Sequence, residues 1–344
     1  MTADLKLGLQ LGYWASTPPQ FDWVGLTREA EDLGFDSVWT AESWGSDVFT
    51  PLAYLAASTS RIRLGTGIAQ MAARTPTATA MHAITLDHLS GGRVILGLGL
   101  SGPQVVEGWY GRPYPKPLAR TREYVEVIRK VLRRETVTND GEFYPLPYRG
   151  LDAMGLGKPL RTNLRPLRKD LPIVLGAEGP KNVALTAEIA DGWLPLYYVP
   201  ERPEVYADQI AGAKDGFEIT AMVHLAFTGA AQDDIEQALW PIKGALAFYI
   251  GGMGAKGANF HKNLMVRMGY EEEADRIQEL FLAGKREEAV MAVPSTFADE
   301  ISLVGPPERI KERLAAWRDS PVTTLMVAGR DPEQLEVVRD LVLG

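Results

Sequence analysis

Two glycine-rich runs hold the residues best suited to bring a ligand against the backbone. The first reads Leu64-Gly65-Thr66-Gly67-Ile68 and runs on to Arg74-Thr75-Pro76. A glycine beside a β-branched residue at a strand's carboxyl end predicts a bulge or other strained backbone able to prop a planar ligand. Arg74 just beyond could pair an anionic group, and Pro76 suits a first helical turn. The second run, Gly97-x-Gly99-x-x-Gly102, has the spacing of a dinucleotide-binding fingerprint. Pro103 follows it, and Pro113, Pro115 and Pro117 crowd the next stretch, so the long helix that fingerprint needs cannot start there. It also follows the fourth strand, not the first. Glycines that permit close ligand approach are the better reading.

Other chemistries are bounded by what the chain lacks. It has no cysteine, which removes disulfides, thiolate zinc sites, iron–sulfur ligation and a cysteine nucleophile. The four histidines, His82, His88, His224 and His261, show no paired ligand spacing, so no metal site is expected and they read as helix and core residues. A net charge of -8 argues against nucleic-acid or membrane-surface binding, since both need a basic face. The start at Leu5-Lys6 lacks a signal peptide's apolar stretch, and no segment approaches the roughly 20 apolar residues of a membrane span. A cytoplasmic protein is expected.

The elements that must carry these runs alternate strand and helix. Strands are predicted at Leu5–Leu11, Phe35–Trp39, Ile62–Ile68, Arg93–Leu100, Pro172–Leu175, Gly192–Leu196, Glu218–Phe227 and Thr323–Val327. Helical spacing follows each; Trp23, Leu26, Ala30 and Leu33 share one helix face that stops at Gly34. Eight such units, with 46% hydrophobic residues and no linker or composition break, fit a single (β/α)8 barrel over residues 1–344 better than an open doubly wound sheet. The near-continuous apolar strand Arg93–Leu100 suits a parallel sheet covered by helices. Ligand chemistry in such a barrel belongs at the carboxyl ends of the strands.

One stretch breaks the rhythm. About 70 residues separate strands four and five, roughly twice a usual unit. Asp140-Gly141 between β-prone residues predicts a hairpin turn, and an insertion over about 135–170 reads as a lid or a clamp on a cofactor's tail.

The ordered series Gly65-Thr66-Gly67-Ile68, Arg74-Thr75-Pro76, Ser90-Gly91-Gly92-Arg93 through Gly97, Gly99 and Ser101 to Gln104, then Gly176-Ala177-Glu178-Gly179-Pro180 and Asp191-Gly192-Trp193 resembles the bacterial luciferase-like superfamily. More closely it is similar to the branch that uses coenzyme F420, a 5-deazaflavin. The resemblance implies a (β/α)8 barrel, a homodimer, and an oxidoreductase moving a hydride between the deazaflavin C5 and a small organic substrate. It places the cofactor against Gly67, Ile68, Arg74 and Ser101, with a non-prolyl cis peptide at Gly67-Ile68. The cofactor phosphate falls on Gly176, Ala177, Glu178 and Gly179, where a glycine-rich turn into a helix near Asn182 offers backbone N–H groups and a positive dipole end.

Where several members carry Asp-His after strand two, this chain reads Glu42-Ser43 followed by Trp44. Glu42 can still act as acid, base or hydrogen-bond partner; Ser43 cannot supply a histidine's proton chemistry. Lys158, Arg161, Arg165, Arg168 and Lys169 are placed to meet the cofactor's acidic oligoglutamate tail. Tyr13, Trp14, Trp44, Trp109, Tyr197 and Tyr198 near strand ends suggest an aromatic pocket. Two alternatives stay open: an FMN-dependent monooxygenase fed by a separate flavin reductase, and a non-catalytic deazaflavin-binding protein.

Overall fold

Strand β1 (Lys6–Gly12) pairs in parallel with β2 (Ser37–Thr40), and β2 with β3 (Arg63–Thr66). After the two-residue β4 (Ala69–Gln70) come β5 (Val94–Gly99), β6 (Ile173–Gly176), β7 (Gly192–Leu194) and β8 (Glu218–Phe227), each paired in parallel with the one before in the ring. Past β9 (Ser302–Gly305), β10 (Thr324–Val327) pairs with both β8 and β1 and closes the ring at eight strands. The computed structural model describes residues 4–14, 21–253, 257 and 259–344. All eight expected strands are ring strands. The two short strands off the ring were not read from the sequence: β4 continues the ladder of β5, and β9 pairs with the last four residues of β8.

Local chemistry accounts for the helix ends. Helix Trp23–Asp32 starts where the Asp22 carboxylate accepts from Gly25 N–H at 2.7 Å. Helix Pro76–Ser90 starts on the Thr75 hydroxyl with Pro76 in its first turn, and ends at Gly91, whose φ of 71° suits glycine. The glycine series does permit a helix at Pro103, but only six residues long, Pro103–Gly108.

Side chains two apart on a strand share a face, so the barrel interior can be read by parity. Lys6 on β1 and Glu218 on β8 meet inside the amino-terminal end at 2.9 Å, and Arg63 on β3 bonds both Glu218 and Asp36. Above this half-buried plug lies an apolar layer of Trp39, Ile95, Val174, Leu194 and Met326, with Met222 and Ile68 against it. Trp39 fits because the strands beside it carry glycine: a Cβ at Gly8 would sit 3.1 Å from its Nε1, and one at Gly65 would collide with its ring. The indole N–H donates to Ser37 Oγ at 2.9 Å, so its one polar atom is satisfied. The layer is the floor of a mouth at the carboxyl end. The larger core lies outside the ring, between strands and helices.

Two long excursions leave the ring at opposite ends. Segment 133–172 follows the carboxyl end of helix Pro117–Leu132 and leads into the start of β6, which is the amino-terminal end of the barrel. Its first half climbs back along that helix, where the Glu123 carboxylate accepts from the N–H groups of Glu142, Phe143 and Tyr144. The chain does reverse, but over Asn139 and Leu146 and not in a two-residue turn at Asp140-Gly141. The second excursion, 228–301, follows β8 at the mouth and forms five helices among the described residues: Gln232–Gly252, Phe260–Arg267, Glu271–Leu282, Arg286–Met291 and Ser295–Glu300.

Candidate functional site at the barrel mouth

The mouth divides into two contiguous halves. On the β3–β5–β6 half the surface is backbone. The peptide Gly67-Ile68 is cis, and the bulge it belongs to interrupts the β3–β5 ladder after Gly65. There Thr66 substitutes for the missing rung: Gly97 N–H donates to its Oγ1 at 2.7 Å, and that hydroxyl donates to Gly97 O at 2.7 Å. The Ile68 side chain lies over β5 and β6 where both carry glycine. A Cβ at Gly99 would sit 2.5 Å from Ile68 Cδ1, and one at Gly176 3.2 Å from Ile68 Cγ2. Here the glycines serve close approach, since neither has positive φ. Ser101, just past β5, does adopt positive φ (59°), and its carbonyl accepts from Tyr114 OH at 2.9 Å.

Beyond β6 the turn Gly176–Gly179 enters helix Pro180–Ile189 two residues earlier than expected, and no side chain caps it. Its carbonyls are held from behind: Trp193 Nε1 donates to Ala177 O and Arg267 Nη2 to Glu178 O, both at 2.8 Å. In a trans peptide N–H points opposite to C=O, so the N–H groups of Glu178 and Gly179 point away from those two partners. The helix adds its positive end. The acidic residue in this turn does not spoil it for an anion. Burial pushes the Glu178 carboxyl up to about 8, against a Leu196 N–H bond and the Arg267 charge that pull it down. Burial therefore favours its neutral form at pH 7. One oxygen accepts from Leu196 N–H at 2.8 Å, and the other is buried with no partner.

Glu42 and Arg74 are brought together, and mostly with each other. Arg74 donates to both Glu42 oxygens at 2.7 and 2.8 Å, and Gln70 N–H to one of them at 2.9 Å. Arg74 also bonds Asp47 at 2.6 Å and lies 5.1 Å over the Phe49 ring. Burial works against the guanidinium charge, but the Glu42 hydrogen bond and the Glu42 and Asp47 charges outweigh it and raise its pKa. The arrangement fixes the turn after β3. Arg74 is committed to carboxylates rather than presented to an anionic ligand.

The aromatic set splits. Tyr13, Trp44 and Trp109 are exposed, Trp14 packs on Trp23 and Tyr54, and Tyr198 is core, stacked with Tyr206. Tyr197 is buried beside His261 and Tyr249 of the second excursion, and its hydroxyl has no partner. Burial lowers His261 to about 4. The basic series of 158–169 is placed against expectation. Arg168 pairs Asp87 and Val94 O, Arg165 O accepts from His88, and Arg161 reaches Thr136, all toward the barrel's amino-terminal end. The half of the segment that carries the basic series therefore lies toward the foot of the barrel, whereas residues 142–144 reach the mouth end of helix Pro117–Leu132, where Glu142 pairs Lys116 at 2.9 Å.

What overhangs the mouth is the excursion 228–301, through Arg267 and His261, which the sequence reading treated as ordinary barrel helices. From sequence His224 reads as a core residue, and Gln10 carries no signal of its own. Counting two-residue steps from Glu218 along β8 and from Lys6 along β1 would have turned both inward. Among the described residues no group of three or more His, Asp or Glu could hold a metal ion, and no helix is long and apolar enough to cross a membrane.

Residues 13–324 match the model of the luciferase-like monooxygenase family. A Mycobacterium tuberculosis protein, Rv3520c, that carries the name of a coenzyme F420-dependent oxidoreductase is 50% identical over 99% of both chains. The 5,10-methylenetetrahydromethanopterin reductase of Archaeoglobus fulgidus is 31% identical, covering 87% of this chain and 86% of its own. The structure of the coenzyme F420-dependent tetrahydromethanopterin reductase of Methanopyrus kandleri superposes with a TM-score of 0.79 at 24% identity, over 99% of each chain, and shares the fold.

Proposed function

The chain belongs to the luciferase-like monooxygenase family, and within it we propose a coenzyme F420-dependent oxidoreductase that exchanges a hydride with a small organic substrate. One observation carries this: the half of the mouth surfaced by backbone and by the Ile68 side chain, which Gly99 and Gly176 let lie flat on β5 and β6, runs directly into an uncapped helix start whose only acidic side chain is pushed by burial toward its neutral form. A flat ring needs the first and a phosphate the second.

The residues present fit that group. Ile68, Gly67, Gly99 and Ser101 would border the ring, and the Glu178 and Gly179 N–H groups would take the phosphate. The chemistry coenzyme F420 supplies when bound is two-electron hydride exchange at its deazaflavin C5. The protein's part is to hold ring and substrate in line and exclude water. Arg74 acts through the turn it fixes. Glu42 positions that turn, and its engagement with Arg74 is the one observation favouring a binding protein over an enzyme.

Turnover separates the readings. The oxidoreductase consumes substrates from a carbonyl and enone panel anaerobically, with reduced F420, no reductase partner and no oxygen uptake. Oxygen uptake in step with substrate loss, with FMN and a reductase, marks the monooxygenase. Tight F420 binding without turnover of any panel member marks the carrier. Glu42→Gln divides two roles: a base lost costs about 10²–10⁴ in rate at unchanged cofactor affinity, whereas a positioning residue lowers affinity and Tm together.

A further inference from the structure

The other half of the mouth, β8–β10–β1, presents side chains that the fold leaves unused. Val327 pairs with Leu9 of β1 and with Val223 of β8, so position 328 lies level with Gln10 on one side and His224 on the other. All three have inward parity: Gln10 follows Gly8, His224 follows Met222, and Ala328 follows Met326, whose neighbours form the mouth floor. Ala328 is exposed, so nothing of the described chain fills the space in front of it. Two strand spacings, about 10 Å, separate the backbones of Gln10 and His224. That gap takes one small functional group.

Both polar residues are unsatisfied. Gln10 Oε1 is buried without a hydrogen-bond partner. His224 feels burial alone, with no hydrogen bond or charge to offset it, and its pKa is lowered. A buried polar atom left unmade costs stability, so the Gln10 oxygen persists where a ligand completes it, while His224, half-buried at the mouth, has no partner of its own among the described residues. At pH 7 a neutral imidazole offers one N–H donor, and Gln10 Oε1 seeks a donor. The nearby ionic group, Glu42 with Arg74 and Asp47, is closed on itself. The wall therefore offers no counter-charge, and the floor beneath it (Trp39, Leu194, Met222, Met326) is apolar.

We propose that Gln10 and His224 form the substrate head-group site, and that the substrate is an uncharged carbonyl compound with a hydrogen-bond donor beside the carbonyl. The imidazole N–H donates to the carbonyl oxygen, and Gln10 Oε1 accepts from the neighbouring donor. The proposal rests on the cofactor reading only in assigning the opposite half, β3–β5–β6, to the ring.

Four histidines make the test direct by NMR of the ring C–H signals, with His224→Phe identifying the His224 signal. The probes are 2-hydroxycyclohexanone and, as the charged control with the same ring, cyclohexanecarboxylate. Each is titrated into the bare protein and the F420-loaded protein. Saturable movement of the His224 signal by the hydroxyketone in either form is expected, with the carboxylate at least tenfold weaker, on the order of one lost charge-free fit. Gln10→Leu should weaken the hydroxyketone about 2–10-fold. F420 fluorescence quenching by His224→Phe should stay within about twofold of wild type, a few tenths of a decade in affinity. No movement in both forms, equal response to the carboxylate, or loss of F420 binding in His224→Phe overturns the proposal. Failure of wild type to bind F420 removes the cofactor reading instead, and the bare-protein titration still decides this one.

Discussion

The two ends of the barrel are built by opposite means. At the amino-terminal end, Lys6, Asp36, Arg63 and Glu218 satisfy one another, and Arg168 with Asp87 and Val94 O ties the second half of segment 133–172 beneath. At the mouth, side chains are missing where glycine replaces them, and polar atoms of Gln10, Gln70, Glu178 and Tyr197 are buried without partners. One end is closed by charge pairs, and the other is left open at a cost in stability. The ends differ in degree: the mouth also has a closed ion group, Glu42 with Arg74 and Asp47, and the foot an unpartnered Thr324 Oγ1. Among the described residues, though, charge pairs bridge the strands only at the foot, and the unspent groups that face a ligand lie at the top.

The largest effect should come from the layer that separates the ends. Trp39→Ala removes a fully buried indole and should cost about 3–5 kcal/mol of stability in chemical denaturation. Because Trp39 belongs to both ends, it should also weaken ligand binding. A stable Trp39→Ala protein would show that the floor is not shared.

Gly179→Val sharpens the contrast at the mouth. Among the described residues a Cβ there would meet only Phe260, at 3.8 Å, so the fold should tolerate it. A branched side chain beside the N–H groups should weaken F420 by about 10–100-fold, or 1.4–2.7 kcal/mol, in a quenching titration. Unchanged affinity in the folded variant would move the phosphate elsewhere. Arg63→Met is the converse. It leaves Asp36 and Glu218 half-buried with less charge compensation and should cost about 1–2 kcal/mol of stability by denaturant titration, with F420 affinity unaltered.

The smallest effect is one of pH. Glu178 is neutral in the fold up to about 8, whereas its ordinary value is 4.5. Between those values the unfolded chain has lost this proton and the folded chain has kept it, so wild-type stability falls as pH rises. Glu178→Gln lacks that slope. Its Tm should match wild type near pH 4.5 and exceed it by about 2 °C or more at pH 8. A variant less stable at pH 8 would mean that the carboxylate is the preferred form there.

The ring was legible because each strand is short, apolar and followed by a helical stripe, and parallel pairing needs little else. Glycine runs marked the right strand ends, since a missing Cβ is visible in any sequence. Three things were not legible. The length of 133–172 was plain, but where each half lies depends on the segment following a helix and not a strand, which length does not show. Glu42 and Arg74 read as free groups because a pair 32 residues apart is made by the turns after β2 and β3, not by spacing. His224 reads as core and Gln10 does not stand out in the sequence, because parity has meaning only once one inward residue on the strand is known.

The most direct measurement is a fluorescence-quenching titration of the purified protein with coenzyme F420 and, separately, FMN, run for wild type and Gly179→Val. The mouth described above predicts saturable F420 binding by wild type, weakened about 10–100-fold in the variant, with FMN the poorer ligand. Saturation by FMN alone, or F420 binding indifferent to Gly179→Val, would contradict it.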